Sequence, residues 1–367
     1  MSQGDLLHVV TDDDISGARR RFGHGIVWAS AALMVAVAAA QYAQERGLGD
    51  FGFQSWRPTL YAYILWAACL CWSKVLIYGE HGKRTLFVLP AALFVISLTV
   101  FPLLFGLVIA FSSWNLASPL GRQFNGLDNV RQMWADPFYW NALGNMVWYT
   151  LAILVEYVIA FGLALLLNAE IRARKFFRVA FLLPLMLSPV AVSWMVGKSM
   201  LEIRFGPIAR LARWLGWENP SFFGSAETAR FIIMALDAWT FIPFMMIMIL
   251  AGLQAIPKDL TEAARVDGAG PWNTFWEIVF PLMLPVSVTA VLIRIIFKLK
   301  LADIVINLTA GGPGGATDTV TSFIFREYRD RSNVGYGTLL AMVYLVIIIV
   351  FMTILMKLAE RLTGPRT

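Results

Sequence analysis

The chain has 367 residues, 58% of them hydrophobic and 15% charged, with a mean hydropathy of +0.65. Soluble domains sit near 45–50% apolar and about 25% charged, so the surplus calls for a non-aqueous solvent and a polytopic membrane protein. The net charge of +6 fits basic residues that hold loops on the cytoplasmic side, which sets nucleic acid aside as a partner.

A membrane span needs about 20 mostly apolar residues. Eight segments qualify, at about 25–43, 58–79, 86–112, 143–168, 177–201, 230–253, 279–306 and 335–358. The fold class is therefore all-α, with about eight transmembrane helices. Arg19, Arg20 and Arg21 precede the first apolar run, but no small-residue cleavage site follows it, so this helix is expected to be retained. Cys69 and Cys71 share the second span. Two positions apart on a helix they diverge by about 200°, so they cannot pair locally. His8, His24 and His81 fall outside the apolar cores, and no metal site is expected.

Basic residues set the orientation. With the N-terminus inside, the inner segments hold 13 Lys/Arg in 74 residues and the outer ones 10 in 100. The strongest piece is "EIRARKFFR", with Arg172, Arg174, Lys175 and Arg178. Both termini and the segment 254–278 are then expected on the cytoplasmic face. Pro184 and Pro189 in the fifth span, Pro243 in the sixth, and Pro281 and Pro285 in the seventh predict kinks. Three kinked spans in succession favour a bundle around a pathway over a simple anchor.

The sixth span carries Asp237, Trp239 and Thr240 beside Pro243. Polar groups and a ring near a kink suit a sugar or polyol, through stacking and hydroxyl hydrogen bonds. A place in the interfacial aromatic belt is the plainer reading of Trp239. The seventh span holds Arg294, Lys298, Lys300 and Asp303. Ionisable residues at membrane depth are functional candidates. If the helix continues, Lys300, Asp303 and Asn307 share one face, while Arg294 and Lys298 share another. Lys300 and Asp303 then either neutralise each other or meet substrate.

Between these spans lies "PKDLTEAARVDGAG" (257–270), a polar segment of mixed charge. It predicts a short helix capped by Asp259 or Thr261, ended by Gly268 and Gly270 and stopped by Pro271. A second helix is expected from near Trp272 into the membrane. Lipid-surface helices are usually rich in Lys/Arg on their polar face. Lys258, Asp259, Glu262, Arg265 and Asp267 mix the signs, which favours a protein partner.

The order Glu262-Ala263-Ala264, Asp267-Gly268-Ala269, Phe275, Ile278, Pro281, Pro285 resembles the EAA loop of permease subunits in binding-protein-dependent ABC importers. Region 85–365 is similar to the maltose-type sugar permeases in four blocks around it. These are "FNGLDNVRQMWADPFYWNALGN" (124–145), "FFRVAFLLPLMLSPVAVSW" (176–194), "DAWTFIPFMMIMILAGLQAIP" (237–257) and "LADIVINLTAGGPGGATDTVTSFIF" (301–325). The resemblance implies a six-helix permease core at 85–367, with the coupling loop at 254–285. Residues 1–84 then form a tail and a two-helix extension. It implies that Glu262, Ala263, Ala264, Asp267 and Gly268 engage an ABC ATPase homodimer, which would bind the ATP and Mg. It further implies a second permease subunit, an external solute-binding protein and the bacterial inner membrane. Where the family often has Gly-x-x-Asn, this chain has "FGPIAR" with Ala209. The solute is expected to be a sugar, a polyol or a related molecule, at Asp237, Trp239, Thr240, Lys300, Asp303 and Asn307.

The chain itself is not expected to be an enzyme or to bind a cofactor. It has no G-x-x-x-x-G-K-[ST] loop, and "GGPGG" (311–315) lacks the Lys. A second class, an ion-coupled secondary transporter using the charges of the seventh span, leaves the EAA segment unexplained. A third, a membrane-embedded enzyme, is opposed by the lack of a His or Cys constellation and of a carboxylate pair in the spans.

Overall fold

The computed structural model describes residues 16–45, 53, 55–169 and 172–363. The first fifteen residues of the tail, with His8, lie outside them, as do Glu170 and Ile171 of the basic loop and residues 364–367.

Fourteen helices are present among the described residues: α1 Gly17–Glu45, α2 Arg57–Gly79, α3 Gly82–Ala110, α4 Asp128–Ala135, α5 Pro137–Asn168, α6 Arg174–Met186, α7 Pro189–Met200, α8 Pro207–Trp214, α9 Ala226–Ala255, α10 Lys258–Val266, α11 Pro271–Leu299, α12 Asp303–Leu308, α13 Val320–Arg329 and α14 Val334–Thr363. Seven are long and apolar enough to cross a membrane, or eight spans if α6 and α7 make one between them. The all-α polytopic fold is as the hydropathy predicts.

Two spans differ from the sequence reading. Segment 177–201 is not one kinked rod, because α6 and α7 meet at 95°. Leu187 and Ser188 are extended there, and Ser188 caps α7 ahead of Pro189. Pro disfavours helical geometry in the residue before it, so two prolines five apart break this span rather than bend it. Segment 279–306 also ends early. Helix α11 stops at Leu299, and α12 starts afresh at Asp303.

The chain divides into two compact units, Met1–Phe105 and Gly106–Thr367. In the first, α1 packs on α2 where Gly23 leaves room for Ile77; a Cβ on Gly23 would lie 2.8 Å from the Ile77 Cγ1. Helices α2 and α3 form a hairpin about Gly79, whose φ of 54° suits glycine. Tyr63 donates to the carbonyl of Leu93 at 3.4 Å and bonds Ser97 across that hairpin.

In the second unit, α5, α9 and α11 form the centre. Ala160 and Ala164 on α5 are fully buried, as are Met245 and Ile249 on α9 and Met283 and Ala290 on α11. Small residues let membrane helices approach closely. Gly252 does the same for α11, since a Cβ there would sit 2.8 Å from the Met283 Cε. On their outer faces Leu154, Val155 and Val158 of α5 and Val346, Val350 and Ile354 of α14 are exposed, the surface that acyl chains cover. Ala209, in place of the family's Asn, is fully buried with Leu201 and Phe222. It is an apolar packing position here.

Candidate functional site

Three structures in the second unit hold the candidate residues. The first is the segment between α9 and α11. Helix α10 begins at Lys258 with Pro257 before it. No side chain caps it, which corrects the expectation for Asp259 and Thr261; Thr261 instead donates to the Lys258 carbonyl at 2.9 Å. Pro257 already sets the entry geometry and offers no N–H of its own. Gly268 ends the helix with φ +79°, as a C-terminal glycine should. Pro271 then starts α11.

Ala264 is the buried anchor of α10. Glu262, Ala263, Asp267 and Gly268 are all exposed, and Val266 is 88% exposed. Leu260 and Val266, both apolar, face outward beside the acids. The helix therefore presents a mixed apolar and charged face that is open to solvent among the described residues.

The second structure lies inside the bundle. Arg294 and Lys298, one turn apart on α11, are both 0% exposed. Arg294 Nε donates to Glu156 Oε2 at 2.7 Å and Nη2 to Oε1 at 3.2 Å. Lys298 Nζ donates to Glu156 Oε1 at 2.8 Å. Both cations also pair with Asp237 Oδ2. The Arg294 guanidinium lies 4.5 Å from the Phe241 ring centroid. Two acids from α5 and α9 thus neutralise two bases from α11 at membrane depth, where unpaired charge is most costly.

This quartet corrects the expectation that the spans hold no carboxylate pair. Glu156 escaped the sequence reading, although a lone acid within the apolar run 143–168 was the signal. The quartet also uses the face of Arg294 and Lys298, not that of Lys300 and Asp303. Because the helix stops at Leu299, Lys300, Asp303 and Asn307 do not share a continuous helical face. No ion pair joins Lys300 to Asp303 among the described residues. Asn307 bonds the Asp303 carbonyl at 2.7 Å.

The candidates still converge in part. A cavity of about 270 Å³ is lined by Asp237, Phe241, Phe297, Lys300 and Asp303, with Pro189 at the break between α6 and α7. Trp239 and Thr240 are not in its lining. Trp239 is 41% exposed, and Thr240 is buried with its hydroxyl spent on the Leu236 carbonyl at 2.9 Å.

The third structure is the glycine-rich loop 309–319. Asn141, Asn145 and Tyr149, spaced four apart on α5, donate to the carbonyls of Gly315, Ala316 and Thr317 at 2.8, 2.7 and 3.0 Å. Asn145 also reaches the Asp318 carbonyl at 2.9 Å. Asp318 is fully buried, pairs with Arg326 and accepts from Ser322 at 3.0 Å. Burial pushes its carboxyl up to about 6, with Arg326 acting against that rise. Gly311 has φ +84°, and a Cβ there would lie 2.3 Å from Asp318 Oδ1.

Residues 76–364 match the family described as binding-protein-dependent transport system inner membrane component. The sulfoquinovosyl glycerol transport system permease protein of Agrobacterium fabrum is 34% identical over 273 residues, 74% of this chain and 88% of that protein. The trehalose/maltose transport system permease protein of Thermococcus litoralis is 31% identical over 240 residues, 65% of this chain and 81% of that one. Among solved structures, a bacterial ABC transporter involved in import of the acidic polysaccharide alginate superposes with a TM-score of 0.67 at 23% identity. That match covers 80% of this chain and 99% of the other. A second alginate transporter structure, in complex with an alginate pentasaccharide-bound periplasmic protein, gives 0.66 at 21% identity over 85% of this chain and 99% of that one. The chain belongs to the inner membrane components of binding-protein-dependent transport systems, and within them it is an ABC importer permease of the maltose-type sugar subfamily.

Proposed function

We propose that this subunit moves a carbohydrate delivered by an external binding protein into the cytoplasm, with the exposed helix α10 as its grip for an ABC ATPase homodimer. A second permease subunit completes the pathway. The partner ATPases, not this chain, hold ATP and Mg. Both termini and α10 face the cytoplasm, in line with the basic residues of the α5–α6 connection. The relatives' names support a carbohydrate cargo. The ion-coupled alternative finds no support among them.

The observation that carries this reading is the form of α10. Glu262 stands exposed on α10 and Asp267 just past its end, and only the short turn through Gly268 and Gly270 joins them to α11 at Pro271. Helix α11 carries Arg294 and Lys298 into the bundle centre. A push on α10 is therefore passed, through that four-residue turn, to the helix that holds the interior charges. The cavity of Asp237, Phe241, Phe297, Lys300 and Asp303 offers two rings for stacking and charged groups for hydroxyls, as a sugar site requires.

The test is a pull-down of the ATPase subunits from detergent extracts, run beside solute-stimulated hydrolysis. Truncating one partner of a buried charge pair at an interface costs about 2–5 kcal/mol, so Glu262→Ala should release the ATPases. The external protein should keep its affinity for solute. Full ATPase retention with normal stimulation would show that α10 is not the coupling element.

A further inference from the structure

We propose that the basic cavity between α5, α6, α9 and α10 is a binding site for the phosphate of an anionic phospholipid headgroup. The cavity has a volume of about 450 Å³ and draws Arg174, Lys258, Gln254, Asn168 and Thr261 from those four helices. Arg178 stands one turn along α6 from Arg174. With its amide turned so that oxygen rather than nitrogen faces the guanidinium groups, the Gln254 side chain accepts from Arg178 Nη2 at 2.6 Å and from Arg174 Nη2 at 3.0 Å.

Three observations select the ligand. First, the charge is uncompensated: among the described residues no carboxylate pairs with Arg174, Arg178 or Lys258. The partner that the two guanidinium groups share is a neutral amide. Second, the Nε atoms of both arginines are buried and have no hydrogen-bond partner. Orphaned buried donors are costly, and a phosphate oxygen satisfies guanidinium N–H groups in pairs. Third, the level is right. The cavity opens where the apolar runs of α5 and α9 end, at Asn168 and Ala255. Trp272 and Trp276 stand exposed at the start of α11, whose Val279 also lines the cavity. Exposed tryptophans mark the headgroup layer, and basic pockets between membrane helices at that depth take anionic headgroups. A soluble phosphate would share the chemistry but would gain nothing from that depth.

Because Lys258 and Thr261 belong to α10, a bound headgroup braces the coupling helix against α6 and α9. The site goes beyond the proposed coupling role and does not depend on it, since lipid retention is read on the permease itself.

The test uses the full chain purified in detergent, stripped of lipid and offered phosphatidylglycerol or phosphatidylcholine in mixed micelles, with retained lipid counted by native mass spectrometry. Phosphatidylglycerol should be retained and phosphatidylcholine not, and inorganic phosphate should fail to displace it. Arg174→Gln with Arg178→Gln should weaken retention roughly thirtyfold, at about 1 kcal/mol per cation. Lys258→Gln, on the exposed start of α10, should weaken it roughly fivefold on the same basis. Equal retention of the two lipids by the wild type overturns the proposal. So does unchanged retention in Lys258→Gln, whatever the double variant does. Displacement by inorganic phosphate as readily as by phosphatidylglycerol makes this a free-anion site and overturns the lipid assignment.

Discussion

Glu156 shows how one residue can govern three helices. Its carboxylate takes bonds from both Arg294 and Lys298, and Asp237 closes the quartet. Removing one member of such a set leaves a buried charge without its partner, which costs about 3–5 kcal/mol. Removing an acid and a base together restores neutrality. Glu156→Gln and Lys298→Met should therefore each lower the thermal midpoint of the purified protein, and the double variant should lose less than the sum. Additive losses would mean that the four groups act separately. Lys300 and Asp303 are the contrast. They are exposed and unpaired with each other, so the losses from Lys300→Met and Asp303→Asn should add. A coupled result in that pair would show an attraction absent from this conformation.

At the scale of elements, the long spans were legible because a 20-residue apolar run has few alternatives in a membrane. The turn after Val266 was legible for a local reason too: Gly268 and Pro271 punctuate it whatever surrounds them. The break at Leu187–Ser188 and the stop at Leu299 were not, because hydropathy does not register where a backbone leaves helical geometry. The quartet was only half legible: the four-residue spacing of Arg294 and Lys298 put them on one face, but their partners come from helices far away in sequence. The loop 309–319 shows the same division. Its glycines announce a turn, yet the ladder of Asn141, Asn145 and Tyr149 that seats it needs the tertiary fold. Inside that loop Asp318 has a carboxyl raised from 3.8 to about 6, chiefly by burial. A folded pKa above the unfolded one gives stability that is complete below about pH 4 and lost as pH rises through about 6. Two units correspond to roughly 3 kcal/mol at most. Arg326, Ser322 and Arg331 oppose the shift, and their effect is already within the net value. Thermal unfolding in detergent should therefore show the wild type losing stability between pH 4 and 6 relative to Asp318→Asn. Parallel pH profiles would show that Asp318 titrates as an ordinary carboxyl.

The whole molecule has more chain than its family requires. The family match begins at residue 76, and the Agrobacterium fabrum relative aligns with 74% of this chain while giving up 88% of its own length. The residues that form α10, the charge quartet and the glycine-rich loop all fall in the unit Gly106–Thr367. The unit Met1–Phe105 offers none of these. Its α1 carries no acid or base through the long run from Ile26 to Tyr42. Lys74, near the end of α2, is occupied over the Tyr78 ring at 5.2 Å. Ionisable groups at membrane depth mark a pathway, and this run of α1 has none; its Ser30 hydroxyl is spent on the Ile26 carbonyl at 2.8 Å and Gln41 accepts from the Phe53 N–H at 3.0 Å. The extra spans are thus expected to serve insertion or assembly. Deleting residues 1–55 removes α1 and leaves the α2–α3 hairpin whole. Less complex should then be recovered from membranes, while solute-stimulated ATP hydrolysis per recovered complex stays near the wild-type rate. Recovery and hydrolysis, measured on the same reconstituted preparation, separate the two roles. Normal recovery with abolished stimulation would place α1 in the transport cycle itself.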